Sequence, residues 1–291
     1  MAAAAVDRLC VSFGTCGVDV SCDAAWLAAD LRARLPWAAH RPASHRAVLH
    51  IVVSALDADW IDVRDSTGRH ERGSLVHAVY HVRKWITSAF VAARPELLWL
   101  HAAAAACDGA ALLIAGPAGS GKSTLVAELL RHSWALLADD AAAIERWRNI
   151  VLPLPISPEK RVASTPPEHD WPAFLAQPKV LCRVARTQIA AREASIGAVV
   201  FLDPASREPA PRLIQLRPVD ALDALARQCL APVRDCGLTL RVLWTLVRAV
   251  PCSTLVCQDL AEAAYVIARH WPPMTVSRRP TAFPSPRGLS R

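Results

Sequence analysis

Residues 116–123 read Gly-Pro-Ala-Gly-Ser-Gly-Lys-Ser and satisfy G-x-x-x-x-G-K-[ST], the Walker A pattern of a phosphate-binding loop. This segment restricts the fold more than any other. Such a loop works only when a strand feeds it and a helix leaves it, so that backbone N–H groups and the positive end of the helix face one anion. The flanks agree. Ala111-Leu-Leu-Ile-Ala115 is a short apolar run, and Thr124 to His132 has helical spacing. The chain has only four lysines, Lys84, Lys122, Lys160 and Lys179, so a lysine at this position does not reflect abundance. The loop therefore reads as a site for a nucleotide triphosphate. Gly116, Pro117, Ala118, Gly119, Ser120 and Gly121 form the cradle, where glycine permits close approach and positive φ. Lys122 is placed to bridge the β- and γ-phosphates and Ser123 to ligate Mg²⁺, while Thr124 continues into the helix.

Two carboxylate groups compete for the metal or a proton. Asp139-Asp140 closes the apolar run Trp134–Ala138, and Asp203 closes Val199-Val-Phe-Leu202. Adjacent carboxylates raise each other's pKa unless a cation shares the site, which favours the Asp139–Asp140 pair. Asp203 precedes Pro204 and reads as a strand-ending turn. His101 stands between Leu100 and a run of alanines, 21 residues before Lys122. Taken alone it reads as a hydrogen-bonded core histidine; on a strand beside the loop, its imidazole would face the transferring phosphate.

The order of His101, Gly116 to Ser123, and Leu136-Leu-Ala-Asp-Asp140 resembles the catalytic domain of bacterial HPr kinase/phosphorylase. The resemblance covers roughly residues 96–271 and is specific from 101 to 140. It is stronger toward the shorter HPr-kinase-related proteins, including those encoded with peptide-modifying systems such as lasso-peptide kinases. Val151-Leu-Pro-Leu-Pro-Ile-Ser-Pro-Glu-Lys160 and Val250-Pro-Cys-Ser-Thr-Leu255 also look like that subgroup. The main family's later signature, an acidic metal ligand in a Gly-containing stretch, is not visible. The resemblance implies an α/β chain (α+β overall) with an HPr kinase/PEP carboxykinase-like core. It implies a kinase that uses ATP and Mg²⁺ to phosphorylate a serine of a peptide or protein partner, and a tendency to form homo-oligomers. By the same match His101 is an active-site residue, Lys122 contacts phosphate, Ser123 holds Mg²⁺ and Asp140 deprotonates the acceptor hydroxyl. Asp139 assists the metal or orients Asp140.

Around this core the chain divides into a small N-terminal α+β unit (1–95), the catalytic unit (96–271) and a tail (272–291). In the first unit, Val48–Ser54 and Trp60–Val63 read as paired strands, with turn chemistry at Asp65-Ser-Thr-Gly68. Behind Ser74, Leu75, Val79, Val82, Ile86 and Phe90 recur at helical spacing, and Pro95 closes the helix. His77 and His81 lie four apart on it and read as boundary histidines in preference to a two-His metal site. In the second unit, Leu97–His101 and Ala111–Ala115 flank Asp108-Gly109, a hairpin signal. Gly197–Leu202 reads as a buried strand, and helices are expected at 220–229, 238–250 and 260–270. Lys160 and Arg161 read either as a pair holding a phosphate or peptide carboxylate, or as surface charge. The tail holds five prolines and four arginines, and disorder is expected there.

Composition then excludes several classes. With 53% hydrophobic residues the chain can build a core, and no run approaches a membrane span. The formal net charge is +7, but Arg278, Arg279, Arg287 and Arg291 supply four of those charges, so no nucleic-acid-binding face is indicated. Nine cysteines without a C-x-x-C pair, and a start lacking a secretory leader, point to a reduced cytoplasmic protein. Cys10, Cys16 and Cys22 read as ordinary thiols. No N-K-x-D motif occurs, which argues against a GTPase. Two alternatives stay open: a nucleotide-dependent switch or ATPase using Asp203 as metal carboxylate, and a small-molecule hydroxyl kinase.

Overall fold

The computed structural model describes residues 7–35, 45–57, 60–154, 156–161, 179–182, 184–203, 208–230 and 236–271. The tail expected to be disordered lies outside these residues. Among the described residues the chain is a mixed α/β protein built on two main sheets.

The first sheet runs in chain order through β1 (Asp7–Phe13), β2 (Cys16–Cys22), β3 (Arg46–Ala55), β4 (Ile61–Asp65) and β5 (His70–Gly73). α1 (Ala25–Arg34) follows β2, and β3 lies parallel to it. The expected pairing of 48–54 with 60–63 is the antiparallel β3–β4 ladder. Asp65 Oδ1 accepts the backbone N–H groups of Thr67 and Arg69 and so builds the following turn. α2 (Leu75–Ala93) buries Val79, Val82, Ile86 and Phe90, the stripe its spacing predicts. Ser74 is at its N-cap, although its side chain makes no capping bond.

In the second unit come β6 (Leu98–Leu100), β7 (Ala102–Cys107), β8 (Ala110–Ala115), α3 (Lys122–Leu130), β9 (Ala135–Ala138), β10 (Ala142–Glu145) and β11 (Ile150–Leu152). A two-stranded ribbon, β12 (Glu159–Arg161) with β13 (Lys179–Leu181), precedes β14 (Ala194–Leu202). β15 (Arg212–Gln215), α4 (Pro218–Ala226), α5 (Cys236–Ala249), β16 (Cys252–Val256) and α6 (Leu260–His270) complete it. The sheet order is β6-β10-β11-β14-β8-β7-β9, with β16 on β14 and β15 on β16. Long β14 holds three partners: β11 antiparallel, and β8 and β16 parallel. α3 and α6 cover one face through Leu125, Leu129, Ala263 and Ile267. α4 and α5 cover the other through Ala221, Leu225, Leu243 and Leu246.

One expectation is corrected. The turn at Asp108-Gly109 forms with both φ angles positive, 50° and 78°, as a tight hairpin requires. Its first arm is the alanine strand β7, however, and not Leu97–His101. β6 pairs instead with β10. Alanine is a poor strand former where half a face is wet. Here β7 is buried on both faces, and its methyl groups let α3 lie close against it.

The two sheets share a core. Phe13, Trp85 and Phe90 of the first unit pack in one cluster with Trp99, Ala141, Ala143, Leu154 and Ile156 of the second. This packing brings α2 to the edge of the phosphate loop. None of the described helices is long and apolar enough to cross a membrane.

Candidate phosphate-binding site

The loop leaves buried β8 and returns as α3. Gly116, Gly119 and Gly121 have φ of 147°, 82° and 100°. At Gly116 a Cβ would lie 2.8 Å from Ser120 Oγ and 3.1 Å from the carbonyl oxygen of Leu202. Glycine is therefore required there by space as well as by φ. The Ser120 hydroxyl is buried with no hydrogen-bond partner among the described residues, which leaves a donor inside the loop for an anion. Pro117, Ala118 and Gly119 form its exposed rim, and Thr124 is half-buried in the first turn of α3. Lys122 is buried, and its Nζ donates to the carbonyl oxygens of Gly116 at 2.7 Å and Pro117 at 3.0 Å. The loop's own carbonyls thus hold the ammonium in place.

The paired aspartates diverge. Asp140 has φ +71°, a left-handed conformation that aspartate tolerates better than most residues. Asp139 points inward and is 2% exposed; the Asp140 side chain is 59% exposed. Ser123 Oγ donates to Asp139 at 2.9 Å to Oδ1 and 3.0 Å to Oδ2. Burial, with the Asp140 charge adding to it, pushes the Asp139 carboxyl up to about 6; Arg83, Ser123 and Lys122 oppose the rise.

His101 precedes β7. Its Nδ1 lies 3.1 Å from the Asp140 carbonyl oxygen and 3.5 Å from Asp140 Oδ1. A carbonyl only accepts, so Nδ1 carries the proton in that bond and Nε2 keeps its lone pair. Burial first, then the Lys122 charge, lowers the His101 pKa against the pull of Asp140. That shift favours the neutral imidazole.

A cavity of about 1090 Å³ is lined by the loop, His101, Asp139 and Asp140. All the expected catalytic residues therefore meet in one place. Asp203 does not join them. It ends β14 one residue beyond Leu202, is exposed, and is not part of the cavity lining.

Three further residues enter from outside the motif. Arg83 of α2 lies with Nη2 3.9 Å from Asp139 Oδ2 and Nη1 3.0 Å from Glu159 Oε2. Arg34 of α1 binds the other oxygen of Glu159 at 2.7 Å and Asp30 at 2.6 Å. The guanidinium and carboxylate groups of Arg34, Arg83 and Glu159 are largely buried, and all three side chains line the cavity. Glu159 belongs to the Pro-rich run that leads into Lys160 and Arg161, read from sequence either as ligands for a phosphate or peptide carboxylate or as surface charge. Both lie on β12, and their side chains are outside the described residues. The composition of α2 hints at Arg83 only as a charged residue one position beyond the buried Val82.

In this mixed α/β protein the site thus joins a strand–glycine loop–helix turn to a buried carboxylate. No protein-family model matches the chain, and no curated protein does. Among solved structures the chain is similar to the Hpr(Ser) kinase/phosphatase from Coxiella burnetii, at 16% identity and a TM-score of 0.31, covering 59% of this chain and 94% of that one.

Proposed function

We propose that this chain is an ATP-dependent phosphotransferase that moves the γ-phosphoryl group to a serine hydroxyl of a peptide or protein. The observation that carries the reading is the convergence of the Gly116–Ser123 loop, the Ser123–Asp139 pair and the Asp140–His101 pair on one cavity. The residues fit a nucleotide triphosphate. The glycine cradle has no room for a Cβ at Gly116, a buried Ser120 hydroxyl has no hydrogen-bond partner among the described residues, and Lys122 is fixed at the loop.

They also fit Mg²⁺, since Ser123 Oγ and the Asp139 carboxylate are hard oxygen donors already in contact. When bound there, Mg²⁺ neutralises charge on the phosphates. Lys122 and the loop amides bind and orient the triphosphate and stabilise charge on its equatorial oxygens. Asp139 is too deeply buried to reach a protein hydroxyl and acts on the metal side. Asp140, exposed on the cavity wall, takes the proton from the attacking serine Oγ. As the serine Oγ–P bond forms, the bond between γ-phosphorus and its bridging oxygen breaks, and ADP leaves. His101 positions Asp140 through its carbonyl and offers Nε2 to the same cavity.

The test is incubation with γ-labelled ATP, Mg²⁺ and peptides encoded beside the gene, followed by mass spectrometric mapping. Label on a serine supports the reading. Label released only as inorganic phosphate, unchanged by any acceptor, overturns it in favour of an ATPase.

A further inference from the structure

Away from the phosphate loop, the opposite side of α2 carries a second cluster. His77 and His81 lie one helical turn apart with ring centroids 4.4 Å from each other. Across from them β5 places Glu71. His77 Nε2 is 3.6 Å from Glu71 Oε2, and His81 Nδ1 is 3.7 Å from Glu71 Oε1. One ligand atom from each residue lies within 4.8 Å of the other two. These separations are too long for hydrogen bonds. They are close to the edge of a zinc tetrahedron, roughly 3.3–3.6 Å for metal bonds of about 2.0–2.2 Å.

A second observation points the same way. His81 Nδ1 is buried and has no hydrogen-bond partner among the described residues, a costly arrangement for a polar nitrogen unless something satisfies it. Gly73 makes room for the other ring: a Cβ there would lie 2.6 Å from His77 Nδ1. Both imidazoles are mostly shielded while the Glu71 carboxylate is two-fifths exposed, which gives an ion a path in and leaves space for water.

We propose that Glu71, His77 and His81 form a binding site for one borderline-soft divalent cation, Zn²⁺ before others, with water completing the coordination. Two imidazoles and one carboxylate suit zinc and its neighbours. They do not suit Mg²⁺, which requires an octahedron of oxygens, so this site and the phosphate-loop site select different ions. The ion clips β5 to α2, the helix that carries Arg83 to Asp139. The second cluster of this kind, Cys10, Asp19 and His45, is arranged differently. Cys10 Sγ lies 3.3 and 3.5 Å from the two ring nitrogens of His45, so the thiol packs on the ring and the two do not point at a common centre.

The test uses tag-free, full-length protein stripped with chelator and kept free of nucleotide and Mg²⁺. Zinc is titrated by calorimetry and counted by elemental analysis, and thermal midpoints are recorded with and without it. One zinc per chain and a raised midpoint are expected, with Co²⁺ giving visible bands of a four-coordinate site. His81→Ala and Glu71→Gln should each weaken binding by at least about tenfold, and Cys10→Ser should leave it unchanged. Glu71 is exposed, so Glu71→Gln retains the fold and keeps the test readable if a histidine variant does not. Absence of zinc binding by the native chain, unchanged affinity in Glu71→Gln, or loss of zinc in Cys10→Ser would overturn the proposal. None of these outcomes bears on phosphoryl transfer.

Discussion

Ser123 shares one hydroxyl hydrogen between both carboxylate oxygens of Asp139, at 2.9 and 3.0 Å. This contact ties the first turn of α3 to the end of β9, two strands away from β8 across the sheet edge. It also leaves a carboxylate in a low-dielectric setting where, among the described residues, its hydrogen-bond partner is the neutral Ser123 hydroxyl. Arg83 stands 3.9 Å away and is itself shared with Glu159. A buried charge held so loosely is costly, and that cost is the physical origin of the raised Asp139 pKa.

The first prediction follows from the sign of that shift. Asp139 titrates near 3.8 when unperturbed and at about 6 in the fold. Between these values the folded chain binds a proton that the unfolded chain has lost. Its contribution to stability therefore falls as pH rises through this window, and the full cost, about 3 kcal/mol, is present above pH ~6. Asp139→Asn should be more stable than the native chain at pH 7.5, by up to that amount, with the gap closing below pH ~4. The same variant should lose Mg²⁺-dependent tightening of nucleotide binding. Denaturant unfolding of both proteins from pH 4 to 8 checks it; a pH-independent gap would refute the assignment.

Arg83 opposes the rise. Removing its charge should push the Asp139 pKa higher still. For Arg83→Gln, the acidic limb of the pH profile for Mg²⁺-nucleotide binding should move to higher pH by roughly half a unit or more. Arg83→Lys should recover part of the shift, because it restores the charge without the fork that also reaches Glu159. A purely structural role for Arg83 would lower affinity at every pH and leave the limb in place. Binding titrations at several pH values separate the two.

Asp140 and Lys122 should fail in opposite ways. Asp140→Asn removes a proton acceptor on the cavity wall and leaves the cradle intact. Transfer should drop by about 10²–10⁴-fold, with nucleotide affinity within about twofold of native. Lys122→Ala removes the ammonium that the Gly116 and Pro117 carbonyls hold, and nucleotide affinity itself should fall. Calorimetry with ADP and a single-turnover transfer assay distinguish the patterns. Equal loss of affinity in both variants would place Asp140 in binding and not in proton transfer.

The parts of the candidate site that sequence alone brings into view are those where chemistry and local structure coincide. The loop between Ala115 and Lys122 carries its own signature, and a carboxylate pair after an apolar run marks its own cost. α2 and α6 were legible because their apolar positions repeat at helical spacing. The alanine strand β7 was not, because its role depends on the depth of burial, which no local pattern encodes. The split between Asp139 and Asp140 was equally hidden: it comes from one positive φ. Arg83, Arg34 and Glu159 were missed for another reason. They come from three elements, at sequence distances that only the packing of α1 and α2 against the second unit closes. Glu71 is likewise invisible beside His77 and His81 until β5 is paired with β4.

Gly121 offers a last check on the cradle. It is the N-cap of α3 at φ 100°, and a Cβ there would lie 2.6 Å from Leu260 Cδ1 of α6. Two penalties are therefore separable in Gly121→Ala. The steric one falls on the end of a flexible side chain and can be relieved by Leu260→Ala. The conformational one is intrinsic to an L-residue with positive φ and costs about 1–2 kcal/mol. The single variant should lose stability by at least that amount and bind nucleotide at least about tenfold more weakly, because relaxing φ swings the first N–H groups of α3 away from the anion. The Gly121→Ala/Leu260→Ala pair should recover no nucleotide affinity, since the amides remain misdirected. Thermal unfolding and ADP titration of the three proteins check this. Recovery of native affinity in the double variant would show that glycine is needed there only to make room for α6, and not to shape the anion cradle.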